Sequence, residues 1–291
     1  KTISFQKNAL NLEINYHGIQ EANMALEGKI NVVNVWKEIP EISFGNSTKE
    51  AGKYAIQSLR AAVIALKNNE VDVLVTAPIN KDNVQSDDFK FPGHTDYLAA
   101  ELEGESLMFM VTENLKVGLL TDHVAIKDVV SAISPRLIRN KISIIEKSLM
   151  MDFGIRKPRI ALLGINPHSG DNGVIGKEDD EILKPVVRER VDIGHLVYGP
   201  YSADSFFGSQ AYQKFDAVLA AYHDQGLIPF KTLSFGNGVN FTAGLNKVRT
   251  SPDHGTAYEI AGKGIADHSS FREAVFTALN IFKNRQEFQE L

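Results

Sequence analysis

Short apolar runs alternate with longer amphipathic segments along most of this 291-residue chain. The short runs are typical of strands and the amphipathic segments are typical of helices, a pattern that indicates βαβ units and a mostly parallel sheet. The pattern is interrupted in the middle of the chain, which indicates two lobes with a cleft between them. We therefore expect an α/β protein with a two-lobed α/β/α architecture.

Three of the apolar runs lead into a histidine, and these are His123, His168 and His223. In open α/β sheets, functional groups gather in the crevice beyond the carboxyl ends of the strands, so three such histidines can converge on one point. Three neutral imidazoles with an open position make a catalytic site for a divalent metal ion. A single histidine at a strand end is more often hydrogen-bonded in the fold, but the repetition favours a metal site.

The composition excludes several classes of protein. The chain has no cysteine, so it contains no disulfide, no cysteine-ligated metal site and no thiol nucleophile. Its net charge of −5 does not fit a general nucleic-acid-binding surface. Its apolar runs are shorter than the ~18 residues of a membrane span, and its first residues lack the apolar core of a signal peptide. We expect a cytoplasmic enzyme that binds neither nucleic acid nor membrane.

Local patterns predict the main elements. A capping box at 47–50 opens a helix that extends to about Leu66. Further helices are expected at 135–149, about 178–190 and about 271–282, and strands at 71–76, 117–120, near Ile160, at 195–198 and at 215–222.

Two polar segments suggest contacts with an anionic ligand. His94 and Thr95 follow a Pro-Gly turn, and both can donate a hydrogen bond to a phosphate or carboxylate group. The alternative is that Thr95 is the N-cap of a helix, and the two roles are compatible because a helix N-terminus is itself an anion site. Lys231 and Arg249 offer cationic partners for an anionic substrate, although such side chains are often only solvated at the surface.

Two further segments carry candidate polar groups. The glycine-rich loop 166–176 matches neither the Walker pattern nor the Rossmann fingerprint, and Asn166 and His168 are its informative members. Asp204 follows a short strand and either acts as a base, orients a metal-ligating histidine or caps a helix. Asp224 directly follows His223 and is another candidate base.

Together these motifs resemble a known family. Pro-Gly-His-Thr at 92–95, Asn-Pro-His at 166–168, Tyr-His-Asp-Gln-Gly-Leu at 222–227 and Arg-Thr-Ser-Pro-Asp-His-Gly-Thr-Ala at 249–257 resemble the 4-hydroxythreonine-4-phosphate dehydrogenases of pyridoxal phosphate biosynthesis. The resemblance extends from about Ser47 to the last helix. The opening strand and Gly-Asp-Pro-x-Gly-Ile-Gly-like loop usual in that family are not recognisable here.

The segment 254–266 is also similar to the cofactor loop of isopropylmalate and isocitrate dehydrogenases. This similarity implies an isopropylmalate-dehydrogenase-like fold, which binds NAD or NADP without the Gly-x-Gly-x-x-Gly turn. We expect a discontinuous cofactor-binding lobe from 1–95 and 225–291. We expect 96–224 to form a central lobe with the dimer interface and the metal ligands.

The resemblance implies a role for each matching residue. The metal ligands are His123, His168 and His223; the substrate contacts are His94, Thr95, Lys231, Asn240 and Arg249; and the cofactor contacts are His254, Gly255, Thr256 and Ala257. It also implies a homodimer in which both subunits supply metal ligands. The base is left open among Asp204, Asp224 and Lys231. The metal is zinc, magnesium, cobalt or manganese, and three histidines favour zinc by ligand type.

The implied reaction is NAD(P)- and metal-dependent oxidation of 4-phosphohydroxy-L-threonine to 2-amino-3-oxo-4-(phosphooxy)butanoate. This β-keto acid decarboxylates to 3-amino-2-oxopropyl phosphate on the route to vitamin B6. Relatives that oxidise 4-phosphothreonate or aromatic cis-dihydrodiols remain alternatives, and Lys231 and Arg249 favour a phosphorylated substrate over a dihydrodiol. A three-histidine hydrolase or lyase and a non-catalytic binding protein are alternatives from other classes.

Overall fold

An eight-stranded sheet with helices on both faces forms the body of the protein. The structure is a computed structural model and describes residues 1–290. The strands are β1 His17–Ile19, β2 Asn31–Val33, β3 Val73–Val75, β4 Gly104–Val111, β5 Lys116–Leu119, β6 Arg159–Leu163, β7 Leu196–Tyr201, β8 Ala217–Ala220, β9 Val239–Leu245 and β10 Val248–Pro252. The helices are α1 Thr2–Ala9, α2 Lys49–Lys67, α3 His94–Glu101, α4 Val129–Ala132, α5 Pro135–Met151, α6 Lys184–Asp192, α7 Ala203–Gly208, α8 His223–Ser234 and α9 Ser269–Gln289.

The large sheet has the strand order β3-β10-β9-β4-β5-β8-β6-β7. β3 pairs with β10 in parallel, and β5, β8, β6 and β7 form a second parallel block. β4 and β9 lie between these two blocks and are antiparallel to their neighbours. β1 and β2 form a separate parallel pair near the start of the chain. The predicted α/β class with a mostly parallel central sheet is confirmed.

The core has two layers because the central strands are apolar on both faces. On one face, Leu162 and Leu219 pack with residues of α5, α6 and α9. On the other face, Leu163 and Val218 pack with residues of α7 and α8. A third cluster joins α2 and α3 to β3. The strand ends are therefore fixed by burial on both sides.

Helix caps explain where two predicted helices begin. The Thr48 hydroxyl accepts a hydrogen bond from the backbone N–H of Ala51 at 3.1 Å, so Thr48 is the N-cap residue of α2. The capping box predicted at 47–50 would have made Ser47 the N-cap residue. Ser134 caps α5 in the same way and Pro135 occupies its first turn. The helix predicted from 178 begins instead with a π-helical turn, Asp179–Leu183, that continues into α6.

The sheet is continuous across the two predicted lobes because β4 pairs with β9 over much of its length. The division into 1–95 with 225–291 and 96–224 stays a prediction. Among residues 1–290, no helix has both the length and the apolar composition that crossing a bilayer requires.

Candidate functional site

A cleft of about 250 Å³ lies beside β4 and β9, the two strands between the parallel blocks of the sheet. Its polar lining includes most of the predicted site residues, namely His94, Thr95, His123, His223, Lys231, Asn240, Arg249, His254 and Gly255. These residues come from the loop after β5, from α8, which follows β8, from the first residues of β9 and β10, from the loop after β10 and from the start of α3. A larger groove of about 1280 Å³ at the far end of α8 contains none of the predicted residues.

Arg249 is a buried cation that faces hydroxyl groups. Its side chain is only 2% exposed, and it donates hydrogen bonds to Thr76 Oγ1 at 3.1 and 2.6 Å and to Thr242 Oγ1 at 3.2 Å. No carboxylate among residues 1–290 forms a salt bridge with it. Burial lowers the pKa of Arg249 to about 10, so the guanidinium remains charged at neutral pH. A buried charge without a counterion is costly, which makes this position suited to an anionic ligand.

His94 is a neutral imidazole beside two cations. Burial, reinforced by Arg249 and Lys81, lowers the pKa of His94 from 6.5 to about 3. One ring nitrogen is therefore a donor and the other an acceptor at neutral pH. His94 is the first residue of α3, and Gly93 occupies the N-cap position. The interpretation of Thr95 as the N-cap is wrong, and Thr95 lies in the first turn with its side chain at the cleft.

Asn240 and Lys231 add an acceptor and a further cation to the cleft. Asn240 Oδ1 is buried without a hydrogen-bond partner, although it lies in the lining. An unpaired buried acceptor costs about 1–3 kcal/mol, so a ligand that donates to it would relieve that cost. Lys231 Nζ donates to the backbone carbonyl of Asp253 at 3.1 Å.

His123 and His223 face each other across the ends of β5 and β8. Their ring centroids are 6.1 Å apart. Asp224 Oδ1 lies 2.7 Å from Nδ1 of His223. A carboxylate on one ring nitrogen fixes the orientation of the imidazole and leaves the other nitrogen for a metal ion. Two of the three predicted ligands are thus brought together, and Asp224 is placed to orient one of them.

His168 does not join this pair within one chain. Among residues 1–290, no three His, Cys, Asp or Glu side chains come close enough together to hold a metal ion. The loop after β6 turns toward β7 instead, because Gly164 N donates to Tyr201 O at 2.8 Å and Ser169 Oγ donates to Pro200 O at 3.3 Å. The three histidines therefore do not converge within a single chain, and their assignment as metal ligands from two subunits stays a prediction.

Asp179 anchors the loop that carries His168. Its buried carboxylate accepts hydrogen bonds from the backbone N–H groups of Ile165 and Asn166, at 2.8 and 3.1 Å, and from Asn166 Nδ2 at 3.0 Å. Asn166, which the sequence suggested as a site residue, thus stabilises the loop. His168 itself has a positive φ of 51°.

Asp204 lies near His168 and outside the cleft. Ser202 is the N-cap residue of α7, so Asp204 is not a helix cap. Its exposed carboxylate accepts a hydrogen bond from Ser202 Oγ at 2.5 Å. That bond, a backbone bond from Ser205 and the neighbouring His168 lower the pKa of Asp204.

The predicted cofactor loop follows β10 at the edge of the cleft. His254 and Gly255 line the cleft, whereas Thr256 and Ala257 lie beyond its lining. Ala257 has a positive φ of 48°, which turns the chain into the short helical turn that follows.

Sequence reasoning missed several residues of the cleft. Lys81 lines it and lowers the pKa of His94, and Thr76 and Thr242 hold Arg249. Lys81 lies in the loop that follows the predicted strand at 71–76, and that position was the available signal. The two threonines carried no signal, because a buried threonine in or beside a strand looks like any other core threonine.

The comparisons with known proteins agree with one another. The family model described as pyridoxal phosphate biosynthetic protein PdxA matches residues 2–278. A 4-hydroxythreonine-4-phosphate dehydrogenase from Bacteroides thetaiotaomicron is 44% identical over 288 residues, which cover 98% of this chain and 79% of that protein. One from a Sulfurihydrogenibium species is 41% identical and covers 98% of this chain and 88% of that protein. The crystal structure of 4-hydroxythreonine-4-phosphate dehydrogenase from Klebsiella pneumoniae has a TM-score of 0.79 and 33% identity, covering 95% of this chain and 86% of that one.

The match begins at residue 2, well before Ser47. The likeness therefore includes the first segment of the chain, where the sequence motifs gave no sign of it.

Proposed function

The chain belongs to the family of the pyridoxal phosphate biosynthetic protein PdxA, and on that premise we propose that it is a metal-dependent dehydrogenase of 4-phosphohydroxy-L-threonine. The substrate would be oxidised at C3, losing its 3-hydroxyl proton to a base of the chain and a hydride to the nicotinamide that NAD or NADP would supply. The resulting β-keto acid, 2-amino-3-oxo-4-(phosphooxy)butanoate, loses carbon dioxide and takes up a proton to give 3-amino-2-oxopropyl phosphate.

The observation that carries this proposal is a buried cation at the cleft, Arg249, which forms no salt bridge with any carboxylate of residues 1–290. Arg249 is buried with hydroxyl partners, and Lys81 and Lys231 line the same space. A phosphate group would supply the missing counterion and accept charge-assisted hydrogen bonds. His94, neutral at physiological pH, can donate to the same group without adding charge.

The chain's own residues also suit the rest of the substrate. Asn240 Oδ1 is an unpaired acceptor that can receive a hydrogen bond from the substrate's amino or hydroxyl group. Of the three candidate bases, we favour Lys231, because it lines the cleft and Asp204 does not. Asp224 is already engaged with His223, which favours an orienting role for it.

The donor set fits a divalent metal ion shared between two copies of the chain. His123 and His223 face the cleft of one subunit, and we propose that His168 of a second copy completes the set. Val174 and Ile175, 81% and 47% exposed, lie on the His168 loop and provide apolar surface for such a contact. When bound there, a divalent ion would lower the pKa of a substrate hydroxyl group and favour charge on its oxygen.

The nicotinamide cofactor is proposed to lie along His254, Gly255, Thr256 and Ala257. His254 and Gly255 border the cleft, so a cofactor held there would reach the substrate site.

A dehydrogenase of 4-phosphothreonate is the second candidate, because the same cationic cleft would hold its phosphate. Initial rates of nicotinamide reduction with 4-phosphohydroxy-L-threonine, 4-phosphothreonate and unphosphorylated 4-hydroxy-L-threonine distinguish the candidates. We expect kcat/KM to be highest for the first substrate and at least about 100-fold lower without phosphate, since two or more charge-assisted hydrogen bonds are lost.

Lys231→Ala should lower kcat/KM for the phosphorylated substrate, whereas Lys247→Ala, at the β9–β10 turn, serves as the matched control. Equal rates with and without phosphate would contradict the proposed role of the cleft. Release of inorganic phosphate without any nicotinamide would identify a hydrolase instead.

A further inference from the structure

Gln225 bridges two strand ends with its side-chain amide. It lies in the first turn of α8, half-buried, and Oε1 accepts a hydrogen bond from the backbone N–H of Ala221 at 2.7 Å. Its Nε2 donates to the backbone carbonyl of Gly164 at 2.6 Å. Ala221 follows β8 and Gly164 follows β6, so one side chain joins the ends of two neighbouring strands.

The bridge occupies a gap in the sheet. The pairing of β6 with β8 extends only as far as Leu162 and Leu219. Beyond that point the backbone N–H of Gly164 instead donates a hydrogen bond to the carbonyl of Tyr201 in β7, at 2.8 Å. The β6 and β8 ends thus have no backbone ladder between them in this part of the described chain, and the Gln225 amide takes its place.

On the other side, Ala221 is tied to the end of β5. Its carbonyl accepts hydrogen bonds from Thr121 N at 3.2 Å and from Thr121 Oγ1 at 2.8 Å. A continuous hydrogen-bonded chain therefore runs from Thr121 through Ala221 and Gln225 to Gly164. The three linked residues, Thr121, Ala221 and Gly164, each precede one of the three histidines by two to four residues.

We propose that Gln225 is a positioning residue that sets the affinity of the metal site by fixing the His168 loop relative to His123 and His223. This inference rests on the metal site of the proposed function. With His168 donated to a second copy, the bridge would connect the histidine pair of one site to the ligand given to the other. A change at Gln225 would then misplace ligands at both sites of a dimer.

The chemistry of the position requires a primary amide of this length. An amide offers an acceptor and a donor on one planar group, whereas an ionised carboxylate of the same shape only accepts. Gln225→Glu would keep the bond from Ala221 N and place an oxygen against the Gly164 carbonyl. Gln225→Asn keeps both functions but is one methylene too short to span the gap.

The test is calorimetric titration of Zn²⁺ alone into the chelator-treated full chain. We expect Gln225→Glu and Gln225→Asn to weaken zinc affinity by about 10- to 100-fold, the range for residues that orient metal ligands. Circular dichroism and the oligomeric state should match the wild type. Gln213→Glu, the same change at an exposed amide with one weak partner, should leave zinc affinity within about twofold.

The His123→Ala variant distinguishes an error in the proposed metal site from an error in the proposed role of Gln225. If it binds zinc as tightly as the wild type, the proposed metal site is wrong and the role of Gln225 falls with it. If it loses zinc while both folded Gln225 variants bind within about threefold of the wild type, the positioning role alone is wrong. If only Gln225→Glu fails to fold, the zinc affinity of Gln225→Asn tests the positioning role by the same criteria.

Discussion

Arg249 donates two hydrogen bonds to the single hydroxyl oxygen of Thr76, from Nε at 3.1 Å and from Nη2 at 2.6 Å. Arg285, also buried, instead pairs with the carboxylate of Asp152 at 2.6 Å. One buried guanidinium is thus neutralised within the fold, and the other is held by neutral groups at the cleft. Under the proposed function, the first charge stabilises the fold and the second binds the substrate phosphate.

Replacing each arginine by methionine should therefore give opposite results. Arg249→Met removes an uncompensated charge, so the free energy of unfolding should stay within about 1 kcal/mol of the wild type or rise, while KM for the phosphorylated substrate increases at least tenfold. Arg285→Met leaves Asp152 unpaired and should cost about 3–5 kcal/mol. Urea unfolding measures both, and equal destabilisation by the two changes would contradict this account of Arg249.

Subunit complementation tests how the metal ligands are shared. A mixture of refolded His123→Ala and His168→Ala chains should recover about one quarter of wild-type activity, since half of the dimers are mixed and each mixed dimer holds one complete site. His123→Ala mixed with His223→Ala should recover none, because both changes fall on the same half of the site. Recovery by neither mixture would contradict a metal site shared between two chains.

The strands β5, β6 and β8 could be predicted from the sequence because they are buried on both faces. The runs that became β5, β6 and β8 are continuously apolar, and each was placed within two or three residues of its bounds. β4, β9 and β10 were missed. β9 and β10 are joined by only Asn246 and Lys247, a hairpin connection without the glycine that usually marks one.

The candidate site was predicted in part for the same reason. Placing histidines at strand ends identified His123 and His223, which do face each other. Strand-end position alone could not show where His168 points, since that depends on Asp179, more than ten residues further along, and on the turn toward β7. The role of Gln225 depends on two backbone groups from different strands, which no local pattern shows.

Acid should destabilise the wild type partly through His94. Its pKa is lowered to about 3 in the fold by burial, Arg249 and Lys81, from 6.5 when unfolded. Between those values the unfolded chain binds more protons, so the free energy of unfolding falls as pH falls from about 6.5 toward 3.

His94→Gln removes that contribution, and urea unfolding at pH 7 and 4.5 measures the change. The stability of this variant should decline less over that interval, by up to about 1.4 kcal/mol per pH unit. His17→Gln, at an exposed histidine, should decline like the wild type. The same decline in all three proteins would contradict a neutral, buried His94.

Gly226 sets how closely α8 packs on the sheet. A Cβ atom there would lie 2.8 Å from Leu119 Cδ2 and 3.0 Å from Ala220 Cβ. Gly226→Ala should therefore cost about 1–3 kcal/mol and move the helix that carries His223 and Lys231, lowering activity as well. Gly208→Ala, at a helical position with no atom within 4 Å of the added methyl group, should be neutral or stabilise by up to about 1 kcal/mol. Thermal unfolding of both variants checks the contrast, and equal midpoints would contradict it.

The most direct test of the account is the absorbance of reduced nicotinamide after the metal-loaded protein is mixed with 4-phosphohydroxy-L-threonine and NAD, and separately with NADP. We predict a rise in absorbance with at least one cofactor, accompanied by release of carbon dioxide and abolished by a chelator. Return of the rise on adding back a divalent metal ion would complete the result. No rise with either cofactor from a folded, metal-loaded dimer, or a rise that the chelator leaves intact, would contradict a metal-dependent dehydrogenase of this substrate.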